Sequence, residues 1–308
     1  MSSRIRLGTR GSQLALAQSN HIANSLRDLG HEVELIIIQT TGDVTAGSLV
    51  SFGSDGVFTK RLQHALLENG IDLAVHSLKD LPTDSVDGLK IGAVPKREDP
   101  GDALIFPNDA DLKIRNISEL PDGFRIGTGS VRRKSQLLNL HKNLCIEDIR
   151  GNVDTRLEKL DAGQFDAIVL ACAGLNRLGL DHRISYRCRP DEMAPAVGQG
   201  ALGLEIRDDD LKVNEALQSL NDAEAFAAVT AERKMLNTMC AGCLAPVGAI
   251  STTVDKHLTL TGIVLSTDGI QKLTVSATET FENSVELGQQ VANQLIADGA
   301  SELIDASR

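Results

Sequence analysis

Short β-branched runs alternate with amphipathic stretches along the first two thirds of the chain. Arg4-Ile-Arg-Leu-Gly reads as a strand that breaks at Gly8, and Leu14, Leu16 and Ile22 mark a helix to Leu29 that Thr9 or Ser12 can cap. Residues 33–40 read as a buried strand, 58–69 as a helix, and 71–77 as a strand closing in Leu78-Lys79-Asp80-Leu81-Pro82. Residues 42–56 form a Gly/Ser/Asp-rich loop without periodicity. Residues 95–107 look like a crossover, residues 166–171 like a further strand, and residues 201–206 like a strand that returns to the first domain. After Asp222 the pattern changes to a helix, a loop over 237–246, strands near 247–252, 258–265 and 271–277, and a final helix over 284–296. This pattern predicts an α/β protein with mostly parallel, doubly wound sheets followed by a unit of antiparallel character. No internal repeat is visible.

The stretch 124–160 concentrates the chemistry. It reads as two strand-to-helix units in succession, with Ser130 and Asn152 as natural N-caps. The free N–H groups of two such helix ends attract anions. Arg132 and Arg133 follow the first cap, and Arg150 and Arg156 bracket the second. Arginine in a first helical turn opposes the macrodipole, so stability alone does not favour it. Residues 125–156 carry a local charge of +4 inside a chain of net charge −11. Guanidinium forks in such a setting suit carboxylates or phosphates; the competing reading is a solvated basic face paired with neighbouring acids. Arg10 sits at a third strand-to-helix junction, and His76, Lys79 and Asp80 lie at a strand's carboxyl end, where open α/β sheets bind ligands. For Lys79 and Asp80 turn chemistry before Pro82 competes with a catalytic role, and His76 inside the strand pattern reads as structural.

Length and composition narrow the classes. A chain of 308 residues exceeds one ordinary core. The acidic balance argues against nonspecific binding to nucleic acid or an anionic membrane. The longest apolar run, 167–175, is too short to cross a bilayer and Met1-Ser-Ser-Arg leads straight into a strand, so a cytoplasmic protein is expected. The five cysteines, 145, 172, 188, 240 and 243, are odd in number and do not make a disulfide framework. The C-x-x-C of Cys240 and Cys243 lacks the helix start of a redox pair and the further ligands of a zinc site, so no metal is expected. A single nucleophilic or modified thiol and two ordinary half-buried cysteines stay open as readings.

Six stretches, in order, match one family. They are Gly8-Thr-Arg-Gly-Ser-Gln-Leu-Ala-Leu, Val75-His-Ser-Leu-Lys-Asp-Leu-Pro-Thr, Gly127-Thr-Gly-Ser-Val-Arg-Arg, Arg150-Gly-Asn-Val-Asp-Thr-Arg, Pro195-Ala-Val-Gly-Gln-Gly and Ala241-Gly-Cys-Leu-Ala-Pro-Val-Gly. Over nearly its whole length the chain resembles the hydroxymethylbilane synthases, or porphobilinogen deaminases. The resemblance implies three α/β domains: residues 1–95 with 200–218, residues 96–199, and residues 219–308. The first two would be similar to type II periplasmic binding proteins and the third a small α/β domain with an antiparallel three-stranded sheet. It implies a dipyrromethane cofactor held by a thioether to Cys243, onto which four porphobilinogens condense head to tail with loss of ammonia before hydrolysis releases hydroxymethylbilane for tetrapyrrole synthesis. Asp80 falls on the family's catalytic aspartate, a carboxylate able to stabilise the cationic azafulvene-like state and assist departure of ammonia, and Lys79 beside it, which falls on a position that contacts cofactor or substrate, is taken as catalytic with it. Arg10, Ser12, Ser130, Arg132, Arg133, Arg150, Asn152, Arg156, Arg177 and Gln199 fall on positions that contact cofactor or substrate. A monomer with no nucleic-acid or membrane partner is implied.

The sequence departs from the family at Gly53-Ser-Asp55-Gly, where many members carry lysine in the loop, and Cys240 is a second thiol near the anchor. Two other functions compete. An anion-binding solute-receptor-like module would use the arginines without Asp80 or Cys243, since fold does not fix function. A thiol oxidoreductase would need a reversible disulfide between Cys240 and Cys243.

Overall fold

The computed structural model describes residues 4–38, 57–242 and 245–307. They divide into two compact units, one of residues 1–98 and 201–226, the other of residues 99–200 and 227–308. The expected fold class is borne out: two five-stranded mixed sheets and one three-stranded antiparallel sheet.

The first unit holds β1 (Arg4–Thr9), β2 (Glu32–Ile37), β3 (Leu73–Ser77), β4 (Leu89–Ala93) and β10 (Leu202–Arg207), ordered β2-β1-β3-β10-β4. Helix α1 (Gln13–Asp28) follows β1, and α2 (Val57–Leu67) precedes β3. Ile5, Leu7, Leu73, Leu204 and Ile206 meet Ile22 and Leu26 of α1 in a dry core, each contributing about 1.5–3 kcal/mol by leaving water. Strand β10 runs antiparallel to both neighbours, as befits a strand entering from the other unit.

The second unit repeats this plan. Its strands β5 (Asp102–Ile105), β6 (Arg125–Gly127), β7 (Cys145–Glu147), β8 (Ala167–Ala171) and β9 (Tyr186–Arg187) are ordered β7-β6-β8-β5-β9, with β5 as the antiparallel member. Helices α3 (Val131–Leu140), α4 (Val153–Asp161) and α5 (Cys172–Arg177) follow β6, β7 and β8. The correspondence reaches single residues. Arg6 Nη2 meets Asp72 Oδ1 at 2.7 Å, while Arg125 Nη2 meets Asp166 Oδ1 at 2.8 Å. In both, the backbone N–H of the arginine also donates to the same carboxylate, a two-point clamp from β1 to the start of β3 and from β6 to the start of β8. A Cβ on Gly8 would lie 2.3 Å from Ile71 Cδ1, and one on Gly127 3.1 Å from Phe165 Cδ1. A repeat is therefore present where none was expected from sequence, because it survives as topology and a few anchor positions.

Within the second unit, β11 (Val247–Val254), β12 (His257–Leu265) and β13 (Lys272–Thr280) form an antiparallel meander. One face packs on the helices α7 (Ala223–Thr238), α8 (Ser284–Ala297) and α9 (Ala300–Asp305) through Met235, Leu260, Val264, Val291 and Leu295. On the other, Ile263 and Leu265 pack against Ala194. The β12–β13 turn sits on α3: Asn139 donates to Gly269 O at 2.8 Å, and Gly269 has φ +75° with no room for a Cβ. A further helix, α6 (Leu211–Gln218), follows β10 and covers the first sheet.

Three readings are corrected. Strand β2 is an edge strand with mixed exposure, and its Ile37 is 57% exposed, because among the described residues no strand pairs with its outer side. The stretch read as crossover contains the fully buried β5, a four-residue strand too short for periodicity to reveal and headed by a charge. Asn152 stands at the N-cap of α4, yet its side chain makes no capping bond; Ser12 and Ser130 do cap, accepting from Ala15 N and Arg133 N at 3.4 Å. The loop over 42–56 and Cys243 lie outside the described residues.

Candidate active-site residues and the family they define

In the first unit, β1 and β3 are parallel neighbours, so their carboxyl ends open on the same edge of the sheet. The chain leaves β1 through Arg10 to the cap Ser12, and leaves β3 through a single turn, Leu78–Asp80. The structure thus brings Arg10, Ser12, Lys79 and Asp80 to one sheet edge, with Asp80 exposed and Lys79 half-buried. The turn is anchored rather than loose. Leu78 is buried, its N–H donates to Ala201 O at 3.1 Å, and Ser77 bonds Gln18 of α1 at 2.9 Å. One residue earlier, His76 lies 2.9 Å from Glu205, whose other oxygen accepts from Gln63 at 2.9 Å. The structural reading of His76 is borne out. The acid that satisfies it was missed, since an acid on an apolar strand is legible only when the pairing of β3 and β10 is known.

In the second unit, β6 and β7 are parallel neighbours, and the junctions that follow them touch. A Cβ on Gly129 would fall 2.9 Å from Asp148 Oδ1 and 3.2 Å from Ile149 O. Gly151 has φ +121°, the left-handed side of the map that favours glycine. Arg150 is exposed and 2.9 Å from Asp148, and Arg156 donates to Gly151 O at 2.7 Å. Burial first, then the charges of Arg133 and Arg150, lower the basicity of Arg156 against an opposing contribution from Asp148. Arg156 therefore feels both of the other guanidinium groups, and an anion beside it would offset that repulsion.

Arg132 and Arg133 are buried at 4% and 6% exposure. Both converge on Asp102, which is fully buried: Arg132 Nη2 lies 2.8 Å from one carboxylate oxygen, and Arg133 Nη2 2.7 Å and Nε 3.1 Å from the other. Burial pushes Asp102 up, but the charges of Arg132 and Arg133 outweigh it and hold the carboxyl well below its usual range. The pair is thus matched with an acid, as the competing reading had it, but buried rather than on a solvated face, and this explains arginines in a first turn: they answer a buried carboxylate on β5, two strands along from β6. Gln199, 1% exposed, donates to Asp102 Oδ1 at 2.9 Å and to Pro100 O at 2.7 Å, and Arg177 donates to Gly200 O at 2.7 Å. Sequence reasoning missed Asp102; the signal was an acid opening an apolar run straight after Pro100-Gly101. Among the described residues no group of three or more potential ligands is arranged to hold a metal, and no helix is long and apolar enough to cross a membrane.

Two like-ordered α/β sheets with arginine-bearing strand-to-helix junctions and a carboxylate at a strand end have donor chemistry that suits anionic ligands as a class. The family models resolve the class. Residues 5–215 match "Porphobilinogen deaminase, dipyromethane cofactor binding domain" and residues 226–297 match "Porphobilinogen deaminase, C-terminal domain". The chain belongs to the porphobilinogen deaminase family. It is 42% identical over 304 residues to the porphobilinogen deaminase of Syntrophobacter fumaroxidans, covering 98% of this chain and 97% of that one. Identity is 44% to those of Desulforudis audaxviator, over 99% and 98% of the two chains, and Thermus thermophilus, over 97% of each. Among solved structures, the methionine-binding protein MetQ superposes with a TM-score of 0.44 at 15% identity, over 74% of this chain and 94% of that one, a likeness too weak to carry an argument.

Proposed function

We propose that this protein is a hydroxymethylbilane synthase, a transferase that condenses four porphobilinogens head to tail onto a dipyrromethane primer, with loss of ammonia, and releases the linear tetrapyrrole by hydrolysis. The observation that carries the reading is the family match across both the cofactor-binding and C-terminal regions. The residues present fit the primer: each pyrrole bears an acetate and a propionate, and Arg150 and Arg156 form a crowded cationic junction that an anion would relieve. In the same unit the capped end of α3 at Ser130 offers further donors; Arg10 and Ser12 keep the contact role that the family resemblance implies.

When bound, the primer supplies a terminal pyrrole whose free α-carbon is the nucleophile. Asp80, exposed at its strand end, accepts pyrrole N–H hydrogen bonds and stabilises the positive charge that develops as ammonia leaves. Lys79, half-buried beside it, engages substrate carboxylate. In this reading Cys243 holds the primer by a thioether, residues 219–308 form a separate cofactor-bearing domain beside domains at 1–95 with 200–218 and at 96–199, and the enzyme works in the cytoplasm as a monomer.

The test is the intact mass of denatured protein made with ample porphobilinogen, beside Cys243→Ser. A gain equal to two porphobilinogens less two ammonias, absent in the variant, is expected. A bare wild-type mass would sink the proposal. Asp80→Ala is expected to fold and to lose turnover, and normal turnover by it would remove the role given to Asp80.

A further inference from the structure

Two wholly buried carboxylates of the second unit have no part in the chemistry above, and one segment joins them. Residues 193–199 run between the second five-stranded sheet and the three-stranded sheet. On one side Gln136 brackets Ala194, donating to its O at 3.1 Å and accepting from its N–H at 2.8 Å, while Arg132 donates to the same carbonyl. On the other side Ala249 N donates to Pro195 O at 2.9 Å. Glu232, 0% exposed on α7, accepts from Gly198 N at 2.8 Å with one oxygen and from Ser251 Oγ at 2.8 Å with the other. The next residue, Gln199, is the one whose amide grips Asp102.

We propose that Asp102 and Glu232 are positioning residues that together hold the 198–199 end of a strap, residues 193–199, whose other end is held at Ala194 by Gln136 and Arg132. The strap keeps the Arg132–Arg133 pair in fixed register with α7, the helix whose chain continues into the segment bearing Cys243. Asp102 neutralises one of two adjacent buried guanidinium charges and so fixes both forks, because a buried cation without its counter-ion would turn toward any available anion. Glu232 acts at longer range. It fixes Gly198, whose φ of +70° sets the bend from which Gln199 reaches Asp102. The arginine forks are then held in one orientation, as recognition of a polyanion that lengthens by whole pyrrole units requires. This last step rests on the proposed function; the strap itself does not.

The experiment reads arginine accessibility directly, by phenylglyoxal modification of the whole protein followed by peptide mapping. In the wild type Arg150, with its side chain 81% exposed, is modified fast and Arg132 and Arg133 slowly. Glu232→Gln, at a residue that accepts from Gly198 and Ser251, is expected to speed modification of Arg132 and Arg133 by about fivefold or more, through the strap. Asp102→Glu keeps the charge while displacing the forks by a methylene, so it keeps the fold where Asp102→Asn fails. It is expected to raise KM for porphobilinogen by about tenfold with a smaller change in kcat. Unchanged reactivity in Glu232→Gln, or an unchanged KM in Asp102→Glu, would overturn the proposal. A wild type that carries no attached pyrroles and turns nothing over would instead defeat the functional reading, while the modification rates still decide the strap.

Discussion

Gly129→Ala tests whether the two arginine-bearing junctions work as one site. Gly129 does not need the left-handed region, so alanine is allowed by the backbone and the whole effect is steric. The added methyl would sit 2.9 Å from Asp148 Oδ1 and 3.2 Å from the Ile149 carbonyl. The Asp148 side chain is 56% exposed and can swing aside, releasing its pairing with Arg150. The carbonyl cannot, so the loop over 148–150 must retreat by a few tenths of an ångström. Overpacking of this kind costs about 1–3 kcal/mol, and one yielding contact places the cost near the lower end. At about 2–4 °C per kcal/mol the melting temperature falls by only a few degrees. Binding suffers more, because both changes move Arg150: a loss of about 1.4 kcal/mol at one guanidinium is tenfold in kcat/KM. Gly127→Ala, two residues earlier, is the matched control. Its methyl meets Ile168 and Phe165 at 3.1 Å in the apolar core. Steady-state consumption of porphobilinogen and thermal melts on both variants separate the contributions. If Gly129→Ala kept the kcat/KM of the wild type, or lost no more of it than Gly127→Ala, the two junctions would not form one binding site.

Other outcomes follow from the same geometry. Asp72 is raised by burial but held at about 2 by hydrogen bonds from Arg6 and Arg207. A carboxyl depressed on folding stabilises above its unfolded value near 4 and loses that contribution as pH falls toward 2. The urea midpoint of Asp72→Asn should therefore lie below that of the wild type at neutral pH and converge with it in that acid window, and a pH-independent gap would refute the assignment. Gly203→Ala would place a methyl 2.5 Å from Leu78 Cδ2, directly before Lys79 and Asp80. Turnover should fall more than stability, as kcat and melts on the same sample will show. Burial pushes Cys172 up to about 12 and Cys188 higher, while Cys145 and Cys240 are exposed. Iodoacetamide on the native protein at mildly alkaline pH should label Cys145 and Cys240 and spare the other two, by peptide mass; rapid labelling of Cys172 would contradict the burial.

Much of the molecule was legible from residue order alone. Period-2 runs bounded by Gly, the caps Ser12 and Ser130, and the antiparallel meander after Asp222 are local patterns, and local sterics and hydrogen bonding enforce them wherever the chain folds. The position of Asp80 at a strand's carboxyl end was legible for the same reason. What residue order could not reveal were pairings between distant segments. Asp102 is one acid among 42 until β5 lies against β8 beside α3, where burial and two guanidinium groups make it a counter-ion. Glu205 and Glu232 are likewise ordinary until His76 and Gly198 are brought to them. The repeated Arg–Asp clamp joins residues 66 and 41 positions apart, and no periodicity spans such gaps. The identity of the chemistry thus lay in short motifs, whereas the electrostatic state of each arginine was decided by what tertiary structure placed beside it, since a charge's energy depends on its neighbours and its access to water.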